Sequence, residues 1–305
     1  LAERRGTLRA DLLLLVTAAI WGFAFVAQRA GMQHLGPFWF NAVRFALGCL
    51  LLLPVALRRS GETGPRRRSP FIPGLMAGCV LFAGASLQQT GLIYTSAANA
   101  GFVTGLYVVF VPLLGLLRGR RTPRGIWFGA AAAAGGMFLL SSSGTTSMVT
   151  GDLLVLAGAV FWAIHIQMVS SLVHRTAALK LAVTQFAVCS LLSLGAALIT
   201  EEISQEAIRA AALPLLYGGF VSVGIAYTLQ VVAQRKAHPA HVAVIMSLEA
   251  LFAAIGGWLV LGEKLEPAGI AGCILMFSAM MISVISSNRS RRGRGTQRRL
   301  FWYNH

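Results

Sequence analysis

Of the 305 residues, 56% are hydrophobic and only 12% are charged, and the mean hydropathy is +0.70. A soluble domain carries about 25% charged residues, so a soluble fold is excluded. The net charge of +16 does not point to nucleic acid either, because the basic residues interrupt long apolar runs and form no face interleaved with aromatics.

Crossing a hydrocarbon core takes about 20 apolar residues in a helix. In chain order, apolar runs cover approximately 11–28, 36–57, 71–94, 98–117, 125–142, 152–172, 178–199, 212–233, 240–261 and 266–286. Most end at Arg, Pro, Gly or Ser, as a chain does where a helix leaves the membrane. The breaks at 95–97 and 262–265 are the shortest. The first run has a basic flank and no cleavage pattern, so it reads as a retained helix. The expected fold class is an all-α membrane protein of ten transmembrane helices.

Charge then orients the helices. Arg4, Arg5 and Arg9, then Arg58, Arg59, Arg66, Arg67 and Arg68, fall on one side of the alternating spans. So do Arg118, Arg120, Arg121, Arg124, Arg175, Lys180, Arg235 and Lys236, and the arginines of the tail. The other side has Arg29, Arg209 and Lys264, with Glu201, Glu202, Glu206, Glu263 and Glu266. Basic excess marks the cytoplasmic face, which places both termini in the cytoplasm. The basic tail, 288–305, reads as a topology anchor, with anionic lipid headgroups as an alternative partner. Cys49, Cys79, Cys189 and Cys273 lie inside apolar runs without metal spacing. They read as small apolar fillers, and no disulfide, metal or cofactor is expected.

The chain also repeats itself. Asp11-Leu-Leu-Leu-Leu ahead of Trp21 matches Asp152-Leu-Leu-Val-Leu at the same distance ahead of Trp162. Arg44-Phe45 falls on Gln185-Phe186, Leu87-Gln88 on Leu229-Gln230, and Ala98 on Ala240. Gly119-Arg-Arg falls on Gly262-Glu-Lys and Gly129 on Gly272. Two units follow, 1–146 and 147–287, each of five helices. An odd number forces the second copy to enter the membrane from the opposite face. Inverted repeats recur in secondary transporters, where two near-equivalent halves open alternately around a midplane site. The repeat favours a transporter over a membrane enzyme.

Two segments carry a family resemblance: Leu87-Gln-Gln-Thr-Gly-Leu-Ile-Tyr-Thr-Ser-Ala-Ala-Asn-Ala-Gly-Phe-Val-Thr-Gly-Leu, and Ser247-Leu-Glu-Ala-Leu-Phe-Ala-Ala with the later Leu261-Gly-Glu-Lys-Leu. With Trp21 and Trp162 they resemble the EamA family of the drug/metabolite transporter superfamily, over about residues 10–285. The resemblance implies ten-helix carriers of the cell inner membrane, many of them amino-acid or metabolite exporters. It also implies a central cavity lined mainly by the first, third and fourth helices of each half, with the fifth at the back. The chain has Ala250 where the family pattern usually places proline after the Glu, and Gly119-Arg120 in the first-half counterpart of Gly262-Glu263.

Strongly polar side chains in hydrocarbon cost several kcal/mol and need a partner, water or a task. Glu249 is the carboxylate well inside an apolar run, about nine residues (~13 Å) from the nearer helix end. It is the candidate proton carrier or ligand for a substrate ammonium; a structural pair with Arg44, at similar depth, is the alternative. Trp21 and Trp162, equivalent and mid-helix, suit cavity walls or core packing. His165 shares a helical face with Trp162 and is a second candidate for proton coupling, or a packing residue. Gln88, Gln89 and Gln230 suit a zwitterion or interhelical hydrogen bonds. Tyr94, Asn99, Tyr107 and Tyr227 complete the candidates for substrate contact. Gly125, Gly129 and Ala133, with Ala268 and Gly272, suit close helix packing between the halves or between protomers of a homodimer.

The expected function is alternating-access transport of a small-molecule substrate, with amino-acid export first. A purine, dipeptide or cationic drug is the alternative cargo. No HExxH, paired Asp-rich motif or Gly-x-Ser-Gly turn supports an intramembrane enzyme, and no charged ring suggests a channel.

Overall fold

The computed structural model describes residues 2–58, 69–119, 122–141, 150–235 and 237–262, together with parts of 267–285. Every regular element among them is helical, and apart from the short helix Gln205–Ala210 the helices are α1 (Ala2–Gly31), α2 (Pro37–Arg58), α3 (Phe71–Gly91), α4 (Ala97–Gly105 and Tyr107–Leu117), α5 (Arg124–Ser141), α6 (Thr150–Leu172), α7 (Ala178–Thr200), α8 (Ala212–Leu216, Tyr217–Ala226 and Tyr227–Gln234) and α9 (Pro239–Met246 and Glu249–Leu261). Eight of them, all but α5, are long and apolar enough to cross a membrane. A shorter apolar helix, Ile270–Ala279, follows. The expected runs 125–142 and 266–286 correspond to α5 and that helix, and both extend onto residues outside the described set. The boundary between the two units and the tail 288–305 also lie outside it.

The helices are apolar on their outer faces as well as inside. Leu50, Leu57, Ile72, Leu117, Leu198 and Ile199 are all exposed, which suits a surface solvated by lipid tails rather than water. Polar side chains instead finish the helix ends. Glu201, just past α7, accepts hydrogen bonds from the backbone N–H groups of Phe38 (2.9 Å) and Trp39 (2.8 Å), a carboxylate at the positive end of α2. Arg29 donates from Nη1 to the Leu92 and Ile93 carbonyls, at 2.6 and 3.0 Å, and so satisfies the free carbonyls past α3. Gly119 and Gly262, equivalent in the repeats, both adopt φ +69° and end α4 and α9 in the left-handed conformation that favours glycine.

One end of the bundle carries Arg9, Arg58, Arg118, Arg124, Arg175, Lys180 and Arg235; the other carries Glu201, Glu202 and Glu206. These are the basic and the acidic ends below.

The two halves interdigitate. Helix α2 packs along α7; α3 packs between α6 and α7, and α8 between α1 and α2; α9 lies against α1 and α4, and α4 against α6 and α9. Exchanging α1–α4 for α6–α9 leaves this pattern unchanged, so the halves meet about an approximate twofold axis. Close approach depends on small residues. A Cβ on Gly22 would overlap Phe252 Cβ and stand 2.7 Å from the Glu249 carbonyl oxygen. One on Gly136 would stand 2.7 Å from the Gly272 carbonyl oxygen, which places the small-residue faces of the two fifth helices against each other within one chain.

The same substitution therefore has opposite effects at two glycines. Gly22→Ala, which drives α1 off α9, destabilises by about 1–3 kcal/mol. Gly195→Ala on α7, where the added Cβ meets nothing within 4 Å, stabilises by up to about 1 kcal/mol through helix propensity. Thermal unfolding of the purified protein in detergent reads both signs.

Candidate functional site

Helices α4 and α9 share a break at mid-depth. At Leu106 and at Leu248, equivalent in the repeats, the backbone tightens to i→i+3 bonding. Leu106 N–H donates to the Val103 carbonyl and Leu248 N–H to that of Ile245, both at 3.2 Å. A tight turn inside an α-helix often marks a hinge. No proline follows Glu249, yet the break is present. On α8 the stretch Tyr217–Ala226 is wound wider, with π-helical i→i+5 bonding, whereas its counterpart α3 is regular.

A cavity lies where these irregular segments meet. Its walls are paired across the repeat: Trp21 with Trp162, Phe25 with Ile166, Gln88 with Gln230, Thr104 with Met246, and Tyr107 with Glu249. Gln28, Arg44, Ser222 and Tyr227 complete the lining.

Tyr227 is the hub of the aromatic wall. Its ring centre stands 4.5 Å from Trp21, 6.1 Å from Phe45, 5.6 Å from Phe186 and 6.2 Å from Trp162. A hydrogen-bond relay fixes the other wall: Trp162 Nε1 donates to Gln88 Oε1 (2.8 Å), and Gln88 Nε2 donates to Gln28 Oε1 (3.3 Å). Trp21 Nε1 donates to the Ser222 carbonyl in the π-helical stretch (3.2 Å). Both tryptophans are thus held by their N–H groups with their rings toward the cavity.

Two charged residues share this space without pairing. Arg44 is buried, and its Nε donates to Asn41 Oδ1 (2.9 Å). Its guanidinium carbon stands 4.9 Å from the Phe45 ring centre and 5.8 Å from that of Phe40, a cation–π arrangement. Glu249 is buried as well, and its Oε1 has no hydrogen-bond partner among the described residues. The structural pair of Arg44 with Glu249 weighed from the sequence is absent.

Of the candidates read from the sequence, Trp21, Gln88, Tyr107, Trp162, Tyr227, Gln230 and Glu249 line the cavity. His165 lies one layer behind, its Nε2 2.9 Å from Gln185 Oε1 and its ring edge-on to Trp162 and Tyr227. Gln89 is buried beside Gln88 and does not line the cavity. Tyr94 is 57% exposed at the acidic end. Asn99 lies at the same end, where its Nδ2 donates to Asp152 Oδ1 (2.7 Å), which also accepts from Thr95 Oγ1 (2.8 Å).

At the basic end the equivalent residues meet in the same way: His241, the counterpart of Asn99, places Nε2 2.9 Å from Asp11 Oδ1. Each Asp thus ties the first helix of one half to the fourth helix of the other.

The sequence reading missed Phe25, Gln28, Arg44, Thr104, Ile166, Ser222 and Met246. Phe25 and Ile166 stand one turn after the paired tryptophans, and Thr104 and Met246 one turn before Tyr107 and Glu249, so helical spacing marks four of them. Arg44 lies on α2, a helix the resemblance leaves outside the lining.

A model of the EamA-like transporter family matches residues 8–142 and again 149–285. An uncharacterized transporter of Archaeoglobus fulgidus is 33% identical over 289 residues, covering 92% of this chain and 87% of its own. A second one from the same organism is 25% identical, covering 92% and 99%. A solved crystal structure with 17% identity superposes with a TM-score of 0.77 over 92% of this chain and 98% of that one; at that identity it speaks for the fold alone.

Asp152→Ala removes the carboxylate that accepts from both Asn99 and Thr95, leaving these two their bond to each other at this point, and costs about 1–3 kcal/mol. Asp152→Asn keeps an acceptor oxygen and costs less. Thermal unfolding of the two variants beside the parent checks the order.

Proposed function

Since the chain belongs to the EamA-like transporter family, we propose that it is a ten-helix secondary carrier of the cell inner membrane, with both termini in the cytoplasm. It moves a small metabolite by alternating access, and export of an amino acid is the reading that fits the site best. The observation that carries this reading is the cavity itself. It lies at mid-depth where α4 and α9 break at equivalent positions, and its walls are paired across the two halves. Carriers with inverted repeats place their cargo at such discontinuous helices.

The two Asp contacts mark the two ends that open and close. Opening the acidic end separates Asn99 from Asp152; opening the basic end separates His241 from Asp11. Both contacts are made in this structure, so the halves exchange conformations through a state closed at both ends, from which each contact opens in turn. The arginines of the basic end support a cytoplasmic placement of that end.

Glu249 is the group whose protonation is coupled to cargo, with His165 held behind it as a second titratable side chain. A purine or a cationic drug is the second reading, favoured by the aromatic faces of Trp21, Trp162 and Tyr227. Arg44 in the same cavity weighs against a cation.

In liposomes, the purified chain is expected to catalyse saturable counterflow of a labelled neutral amino acid, with a pH-dependent rate. Glu249→Gln flattens that pH profile. An unaltered profile in a variant that still transports removes Glu249 from coupling. Absence of saturable counterflow across amino acids, dipeptides, purines and cationic drugs contradicts the carrier reading.

A further inference from the structure

The two charges of the cavity stand where the repeats differ. The counterpart of Arg44 in the second half is Gln185, and that of Glu249 in the first half is Tyr107. The tryptophan and glutamine pairs of the same cavity are conservatively matched, so each half supplies one charge of its own. An ion pair would satisfy both, yet none forms. Beyond its bond to Asn41, Arg44 makes no other hydrogen bond to the described residues, and Glu249 Oε1 is without one, the neutral Tyr107 hydroxyl being the polar group beside its carboxyl. Both side chains are only 3% exposed.

An unpaired charge at mid-bilayer costs several kcal/mol, so such residues face a pathway or a partner. A solute with a carboxylate at one end and an ammonium at the other answers both groups and brings no net charge into the membrane. A purely anionic solute leaves an ionised Glu249 unanswered; a purely cationic one leaves Arg44 so. The rings of Trp21, Phe25 and Tyr227 provide an apolar wall for the remainder of such a molecule.

We propose that the cavity is a zwitterion site, in which Arg44 holds the carboxylate of the cargo and Glu249 its ammonium. This rests on the carrier reading above and deepens it: Arg44, on a helix outside the implied lining, becomes the residue that selects for a carboxylate. Its planar guanidinium presents two N–H groups side by side, the geometry that matches a carboxylate.

The test uses the full-length chain in liposomes and a matched set of competitors against labelled phenylalanine: phenylalanine itself, phenylalaninamide and 3-phenylpropionate. Adenine, dialanine and tetraphenylphosphonium are assayed beside them. The parent protein is expected to be competed by phenylalanine and dialanine, and at least about tenfold more weakly by the amide and by the des-amino acid, because each leaves one buried charge unanswered. Arg44→Gln raises the half-saturation concentration for phenylalanine at least about tenfold and abolishes discrimination against the amide; Arg44→Lys retains part of both.

Equal competition by phenylalanine and its amide in the parent overturns the inference. So does a monodisperse Arg44→Gln protein with parental affinity and discrimination. Where Arg44→Gln fails to fold, the analogue ranking of the parent and the Arg44→Lys variant decide. Movement of adenine or tetraphenylphosphonium without any zwitterion overturns the zwitterion site and leaves the carrier standing. Movement of no compound at all overturns the carrier reading and this inference with it.

Discussion

Hydrocarbon offers no hydrogen bonds, so each polar side chain on a spanning helix must find its partner inside the protein. Most do. The indole of Trp162 binds Gln88, which binds Gln28, while Asp152 gathers Asn99 and Thr95, and Asp11 meets His241. These contacts join helices far apart in sequence and set which faces turn inward. The aliphatic residues are left to cover the outside. Arg44 and Glu249 are charged residues for which this sorting stops short of completion, and both line the cavity beside the irregular segments of α4, α8 and α9.

Symmetry explains the irregularity. Two halves that exchange conformations, as proposed, need equivalent joints, and the tightened turns at Leu106 and Leu248 are equivalent. Departures from symmetry include what the cavity holds, its wall and the layer behind it. Tyr107 faces Glu249, Gln185 stands in for Arg44 and binds His165, and α8 widens into a π-helical stretch while α3 does not. The scaffold is paired; the chemistry is not.

Much of this architecture is legible in the sequence. Runs of about 20 apolar residues mark the spans, and the recurrence of Asp11 and Trp21 as Asp152 and Trp162 marks the two units. Mid-helix tryptophans and glutamines lead to the cavity for the same reason: they are poor choices for a lipid-facing surface. The breaks in α4 and α9 are not legible, because neither Leu106 nor Leu248 is a helix breaker. Tyr94 and Asn99 belong to a segment that carries the family resemblance, yet that segment rounds the acidic end before it enters the bundle. Their depth depends on where α4 begins, which apolar windows fix only to within a few residues. The pairing of Asn99 with Asp152 and of His241 with Asp11 joins residues far apart in the chain, and the repeat register alone relates the two.

Alternation between the ends is the central claim, and cross-linking tests it most directly. In a chain whose four cysteines are replaced by alanine, one pair of new cysteines goes at 99 and 152, and in a separate variant another pair at 11 and 241. A short bifunctional thiol reagent then closes one end at a time in liposomes. Alternating access predicts that either cross-link alone stops counterflow, and that a cleavable linker restores it when cut. Undiminished counterflow with either end held shut would contradict the account.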